Sequence, residues 1–270
     1  MLAERFTEVV LFTRLRNKSV TVISNGNPSF LETYKTLISL GTSLFEFPFH
    51  SVQPGMHDQM TGTPGSWKNS FDSIKYVIEN GGQVVPSIII SSINYQEIAA
   101  TIEFLHSIGL YRMMLNRMNI GGNLLHKGKH LLPQKQHLAE AFEQASDVAG
   151  KKGLDISSNI CIPFCYMDVK QFSNIRFTSC SIDINRMPLT INVDGDVRLC
   201  NHSPVSLGNI FKQRIAEILN SDYVLKWKKI VPGYCNECKL YTVCLGGCRA
   251  ASEQVGKGLG YPDPIIEIVN

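Results

Sequence analysis

The stretch Cys235-Asn236-Glu237-Cys238-Lys239-Leu240-Tyr241-Thr242-Val243-Cys244-Leu245-Gly246-Gly247-Cys248 constrains this chain more than any other. Its four thiols follow the spacing C-x2-C-x5-C-x3-C. A two-residue turn folds both sulfurs of a CxxC pair to one side, toward one metal ion or one cluster edge. Cys244 and Cys248 stand at i and i+4, so on a helix they share a face. Gly246 and Gly247 between them leave room for a bulky neighbour close to the backbone. Thiols this dense are ligand chemistry, and any fold has to bring them together.

The other cysteines sharpen the point. All 8 lie between Cys161 and Cys248, and none precedes Cys161. That asymmetry predicts a domain boundary, with residues 1–158 forming one domain and residues 159–270 a second, cysteine-rich one. No N-terminal charged, apolar and small-residue pattern marks a secretion signal, so the thiols point to a reducing cytoplasm and metal thiolates rather than disulfides. The longest apolar run is too short to span a bilayer. With a net charge of +3 and no long basic tract, the chain lacks a nucleic-acid surface. Lys226, Lys228 and Lys229 around Trp227 read as the wet face of a short helix.

The first domain alternates strand and helix. A helix over 1–17 (Phe6, Val9, Val10, Phe12, Leu15) precedes a strand at 20–24, which ends in Ser24-Asn25-Gly26. Asn27 starts a helix over 28–40 and Gly41 stops it. A strand at 44–49, a long loop to Gly65 and a helix over 66–80 follow. The near-continuous apolar run 84–91 reads as a strand buried on both faces. A helix over 95–108, a strand at 111–115, an amphipathic helix over 134–152 and a short strand at 154–160 complete the series. About five such units with short turns imply parallel strands with right-handed crossovers, an incomplete barrel or an open α/β sheet. In the second domain, 189–199 forms a hairpin about Asp194-Gly195 that delivers Cys200 at its end. Short helices are expected over 211–219 and 221–230.

Taken together, Cys180-x14-Gly195-x4-Cys200, Leu207-Gly208-Asn209-Ile210, and the C-x2-C-x5-C-x3-C run resemble the SPASM domain. This is the C-terminal extension of radical S-adenosylmethionine enzymes that mature peptides and proteins. Val22-Ile23-Ser24-Asn25-Gly26, His57-Asp58 with Gly62 and Gly65, Asn94, and 116–122 resemble the later strands and loops of the radical S-adenosylmethionine barrel. The resemblance implies an α/β fold: a partial (β/α) barrel of parallel strands lacking the first ones, then a small α+β SPASM domain. It further implies auxiliary 4Fe-4S clusters, one or two in number, a peptide or protein substrate, and an electron donor such as a flavodoxin or ferredoxin.

Two departures from that pattern matter. The CxxxCxxC loop whose thiolates bind the cofactor-cleaving cluster has no counterpart before Cys161, and Cys161-Ile162-Pro163-Phe164-Cys165 does not replace it. The chain alone is therefore not expected to cleave S-adenosylmethionine, which belongs to an intact enzyme. Asn25 and Arg117 are the candidate cofactor-binding residues by this likeness. The family also carries a last cysteine near an Asp-Pro, where this chain has Asp263-Pro264-Ile265-Ile266. By carry-over, Cys235, Cys238 and Cys244 hold an outer cluster, with Asp263 as a possible replacement for the lost thiolate. An inner cluster takes Cys180, Cys200 and Cys248, with Cys165 as the first choice of fourth ligand and Cys161 as the second.

The residues also admit plainer readings. C-x2-C-x5-C-x3-C by itself fits one structural Zn²⁺, and the chain then becomes a non-catalytic module that binds a partner protein or peptide. Cys161 and Cys165 also suit small buried hydrophobes. His50 and His57 read as polar surface in a loop, Arg117 as a cap on strand-end carbonyls, and Ser24-Asn25-Gly26 as a turn.

Overall fold

A computed structural model describes residues 5–122 and 128–266. The chain folds as two units that alternate along the sequence. One comprises Met1–Met118, Gln136–Ser158 and Phe172–Arg176; the other comprises Asn119–Lys135, Asn159–Gln171 and Phe177–Asn270.

The first unit is built on a sheet of β1 (Thr21–Ile23), β2 (Leu44–Pro48), β3 (Val84–Ile90), β4 (Arg112–Arg117), β5 (Asp155–Ser158) and β6 (Ile175–Phe177), in that spatial order. The pairings from β1 through β5 are parallel, with Val22 opposite Phe45, Phe47 opposite Pro86, Ile90 opposite Arg117 and Met113 opposite Ile156. Strands in sequential parallel order with a helix between neighbours are the repeat of a (β/α) barrel, so the architecture is the expected α/β one. Helices α1 (Phe6–Leu15), α2 (Leu31–Ser39), α4 (Ser66–Glu79), α5 (Ile98–Ser107) and α6 (Lys135–Lys152) correspond to the helices expected. Residues 1–4 of the first expected helix lie outside the described residues.

Burial follows the side-chain periods. Phe45 and Phe47 alternate inward from β2, and the Tyr34 ring of α2 meets them edge-on at 5.9 and 5.4 Å. Side chains of this kind, each shielded from water, stabilise the unit by roughly 1.5–3 kcal/mol apiece. β3 is buried at Val84, Val85, Pro86, Ile88 and Ile90, as a strand covered on both faces must be. Helices α5 and α6 contribute Ile98, Ile102 and Leu105, and Leu138, Phe142 and Ala145.

Two elements differ from expectation. The loop before Gly65 contains a helix, α3 (Pro54–Thr61). Its apolar period is weak, but Pro54 sits at its first turn and Gly62 closes it with φ +67°. Those are helix boundary signals, and they outrank periodicity in so short a piece. The expected last strand is followed by another, β6, only three residues long. Asp155 of β5 pairs with Arg176 of β6 at 3.2 Å and with Arg112 of β4 at 3.4 Å. A strand with one buried residue carries too little pattern to be read from sequence.

In the second unit, β7 (Thr190–Ile191) and β8 (Asp196–Arg198) form the expected antiparallel hairpin, and β9 (Gly208–Asn209) adds a third strand. Gly195 turns the hairpin at φ +85°, and a Cβ there would lie 2.5 Å from the Phe211 ring. Short helices α7 (Ile215–Ile218) and α8 (Asp222–Lys229) follow. Val224 and Trp227 face inward from α8 while Lys226, Lys228 and Lys229 are exposed. The apolar centre is small: Leu199, Val224, Trp227, Ala250 and Leu259, with Cys180, Cys200 and Cys248 packed against it.

Candidate metal centre

A tight turn at Gly233–Cys235 opens the cysteine stretch, and the Cys238 amide donates to the Cys235 carbonyl at 3.1 Å. A single-turn helix, α9 (Tyr241–Cys244), ends where Leu245 adopts φ 57°. Gly246 and Gly247 continue in the left-handed region at φ +83° and +79°. This run reverses the chain, so Cys248 becomes the N-cap of the next helix, α10 (Arg249–Gln254). Cys244 and Cys248 therefore do not share a helix face, contrary to the reading from their spacing. The glycines do make room for bulk: a Cβ on Gly247 would lie 2.6 Å from Pro163 and one on Gly246 3.1 Å from Pro232.

The eight free thiols fall into two groups within this unit. Cys165, Cys235, Cys238 and Cys244 line one cavity of about 50 Å³, beside Pro163 and Tyr234. Cys165 is exposed, yet partial desolvation by its neighbours pushes its thiol up, and the charges of Cys244 and Cys238 push it further. Cys235 is raised in the same way, by burial and then by Cys238, Cys244 and Cys165. In the second group, a side-chain hydrogen bond from Cys161 draws the Cys180 thiol down to about 7, helped by the Arg249 amide and guanidinium. Cys200, delivered by β8 as expected, is raised by burial and feels the charge of Cys180. Cys248 receives a hydrogen bond from Asn119 Nδ2 at 3.3 Å and packs on the same apolar cluster as Cys180 and Cys200.

This grouping reverses the expected order of the upstream pair: Cys161 stands with Cys180, and Cys165 with the C-x2-C-x5-C thiols. The cause is the turn at Pro163, whose carbonyl accepts from the Tyr166 and Met167 amides at 2.9 and 3.1 Å. Asp263, the expected replacement for the lost thiolate, is engaged by backbone amides. Its carboxylate is buried, accepting from the Cys248 amide at 2.8 Å and the Ile265 amide at 3.1 Å.

The cofactor candidates lie in the sheet unit, at the C-terminal ends of parallel strands where barrel sites form. Asn25 is exposed in the turn after β1, and Arg117 is buried at the end of β4. Three strand spacings separate them, about 14 Å. The turn itself is rigidly set: Ser73 Oγ donates to the Gly26 carbonyl at 2.9 Å, and a Cβ on Gly26 would lie 2.8 Å from the Ser70 backbone. His50 and His57 are not polar surface. Their rings stack at 5.2 Å, His57 is fully buried, and desolvation pulls them down to about 3 and about 4. Asp58 accepts from Ser66 Oγ and the Trp67 amide at 2.9 and 2.8 Å, so it holds the start of α4. Asn94 bonds the His50 and Ile89 carbonyls and the Ser91 amide. These three positions build the strand-end loops.

Residues 180–239 match the model of an iron-sulfur cluster-binding domain called SPASM. They form a SPASM domain. The antilisterial bacteriocin subtilosin biosynthesis protein AlbA of Bacillus subtilis (strain 168) is 25% identical over 263 residues, covering 89% of this chain and 52% of AlbA. The chain thus spans about half the length of this curated relative. The structure of anSMEcpe with bound AdoMet and Kp18Cys peptide shares the fold with TM-score 0.71 at 13% identity, covering 98% of this chain and 76% of that one. Streptococcus suis SuiB bound to S-adenosylmethionine matches with TM-score 0.67 at 11% identity, over 96% of this chain and 62% of SuiB. The chain is therefore similar to AlbA in sequence and shares its fold with these two solved structures.

Several residues around the SPASM thiols escaped the sequence reading. Arg249 is buried, and it bonds the Trp227 carbonyl and the Tyr241 hydroxyl at one edge of the Trp227 ring. The Phe164 amide donates to Cys244 Sγ at 3.3 Å. A buried Arg next to cysteines is a signal sequence carries faintly, since Arg follows Cys248 directly. Backbone amides aimed at sulfur leave no residue-type signature at all.

Proposed function

We propose that this chain is part of a radical S-adenosylmethionine/SPASM maturase that modifies a peptide or protein in the cytoplasm. Residues 1–158 serve as its partial barrel, and residues 159–270 hold auxiliary iron-sulfur clusters. The observation that carries the reading is the pair of thiol groups. The four-thiol cavity of about 50 Å³ exceeds the roughly 10–15 Å³ that one water-sized occupant needs. That room favours a multi-atom cluster over Zn²⁺, whose thiolates close around one point.

Cys180, Cys200 and Cys248 on one side and Cys235, Cys238 and Cys244 on the other are the proposed cluster ligands, with Cys161 joining the first set. When bound, 4Fe-4S clusters supply one-electron redox capacity, at potentials tuned by hydrogen bonds and burial around the sulfurs. The chain's own groups fit that task. Asn119 Nδ2 and the Phe164 amide donate to sulfur, and the Arg249 guanidinium places positive charge by Cys180. In the sheet unit Asn25 and Arg117 are proposed to bind S-adenosylmethionine in the intact enzyme, Arg117 through the cofactor's carboxylate. A peptide substrate accords with AlbA, a bacteriocin biosynthesis protein, and with SuiB, whose structure with its precursor peptide SuiA shares this fold. A flavodoxin or ferredoxin is the proposed electron donor.

The absence of CxxxCxxC from the sequence favours one further reading, a non-catalytic iron-sulfur module that binds a peptide. Anaerobic reconstitution with iron and sulfide quantitation, followed by electron paramagnetic resonance after reduction, tests the shared premise. About eight irons with matching sulfide are expected, and zinc without iron overturns both readings. S-adenosylmethionine cleavage by this chain alone is expected to be nil, and any 5′-deoxyadenosine formed would contradict that.

A further inference from the structure

Directly after Asp263-Pro264, where the resembled pattern carries its last cysteine, this chain has Ile265 and Ile266. We propose that Cys165, from upstream of the domain's pattern, supplies the missing thiolate, so that Cys165, Cys235, Cys238 and Cys244 close the outer site. The inference rests on the iron-sulfur reading above and goes beyond it by naming a ligand that the cysteine spacing assigned elsewhere.

The geometry carries it. Cys165 lines the same cavity as the other three thiols. The segment that bears it is held there at two points. Phe164, its neighbour, donates its amide to Cys244 Sγ at 3.3 Å. Pro163 occupies the gap left by the absent side chain of Gly247, where a Cβ would come within 2.6 Å. Competing donors are committed elsewhere: Asp263 to the Cys248 and Ile265 amides, and the Tyr234 hydroxyl to the Gly246 carbonyl at 3.1 Å. Cys161 is taken by Cys180. The short run 161–165 thus sends one thiol to each site, and Gly247 is the glycine that lets it approach. Each thiol yields its proton on coordination, so loading the outer site releases four protons if all four were protonated.

The test compares the reconstituted full chain with Cys165→Ala and Asp263→Asn. Cys165→Ala should lower iron from about eight to about four per chain and remove one of the two reduced-cluster signals. Asp263→Asn should keep both signals. Full iron with unchanged spectra in Cys165→Ala overturns the ligand assignment while leaving the iron-sulfur reading intact. Zinc without iron in the unsubstituted chain overturns both. A second measurement needs no substitution. Cys165 is exposed, so in the metal-free chain iodoacetamide should alkylate it, and loading should protect it at least tenfold. Equal alkylation of the loaded and metal-free chains, read by peptide mass, overturns the proposal even if Cys165→Ala fails to fold.

Discussion

The two units of this chain reach a folded state by different means. The sheet unit buries long apolar runs, with Phe45, Phe47, Ile88, Ile90, Ile102 and Phe142 fully shielded from water. Its buried polar side chains are largely engaged, as Asn94 and Ser73 illustrate. The SPASM unit has strands of two or three residues, α-helices of four to eight residues beyond position 200, and an apolar centre around one tryptophan. Cys180, Cys200 and Cys248 pack against that centre. One unit carries its stability in side-chain packing. On the proposed reading, the other draws on what its thiols bind, in the manner of metal domains whose binding energy is folding energy.

The chain has only 2 tryptophans, which makes the contrast measurable. Trp67 sits in the sheet unit against Phe49 and Phe71, and Trp227 is the buried centre of the SPASM unit. With Trp67→Phe and Trp227→Phe as single-tryptophan backgrounds, each unit reports its own unfolding. The largest expected effect is iron removal: the Trp227 transition should lose cooperativity in the metal-free chain while the Trp67 transition keeps its midpoint. Equal loss in both would break the comparison. Next comes Leu199→Ala, which empties a fully buried position of the SPASM unit. It should cost about 2–5 kcal/mol in the Trp227 transition and leave the Trp67 transition in place.

Acid should act the other way round. His50 and His57 are held down to about 3 and about 4 by burial, below the ordinary value of 6.5. Below that value the unfolded chain takes up protons that the folded sheet unit refuses. Stability followed by Trp67 should therefore fall as pH drops from about 6.5 toward 4, by at most about 1.4 kcal/mol per pH unit for each histidine. His57→Phe should flatten that slope; an unchanged slope would remove the histidines as its cause. The smallest effect is at Asn27, whose side chain accepts from the Ser29 amide at 2.9 Å. Asn27→Ala should cost about 1 kcal/mol, again visible only through Trp67.

Legibility in the sequence also divided along these lines. The order of strands and helices in the sheet unit was readable because burial imposes a period on each element, as at Val84–Ile90 and Ile98–Ser107. Pro54–Thr61 and Ile175–Phe177 were missed because one is a polar helix and the other has a single buried residue. His50 and His57 read as surface because nothing local shows that a strand-end loop folds inward. In the SPASM unit the candidate ligands were readable by type and spacing, but not how they group.

The sequence by itself determined that this chain alternates strand and helix before a cysteine-rich part, with its thiols in a fixed spacing. Those properties reside in periods and spacings along the chain. Only the tertiary structure decided how the thiols divide. Cys161 and Cys165 are four residues apart, and a turn at Pro163 sends them to different groups. That turn is held by Cys244 and by the space over Gly247, more than eighty positions from Pro163 in the chain. Spacing within a short segment does not encode a contact made at that range.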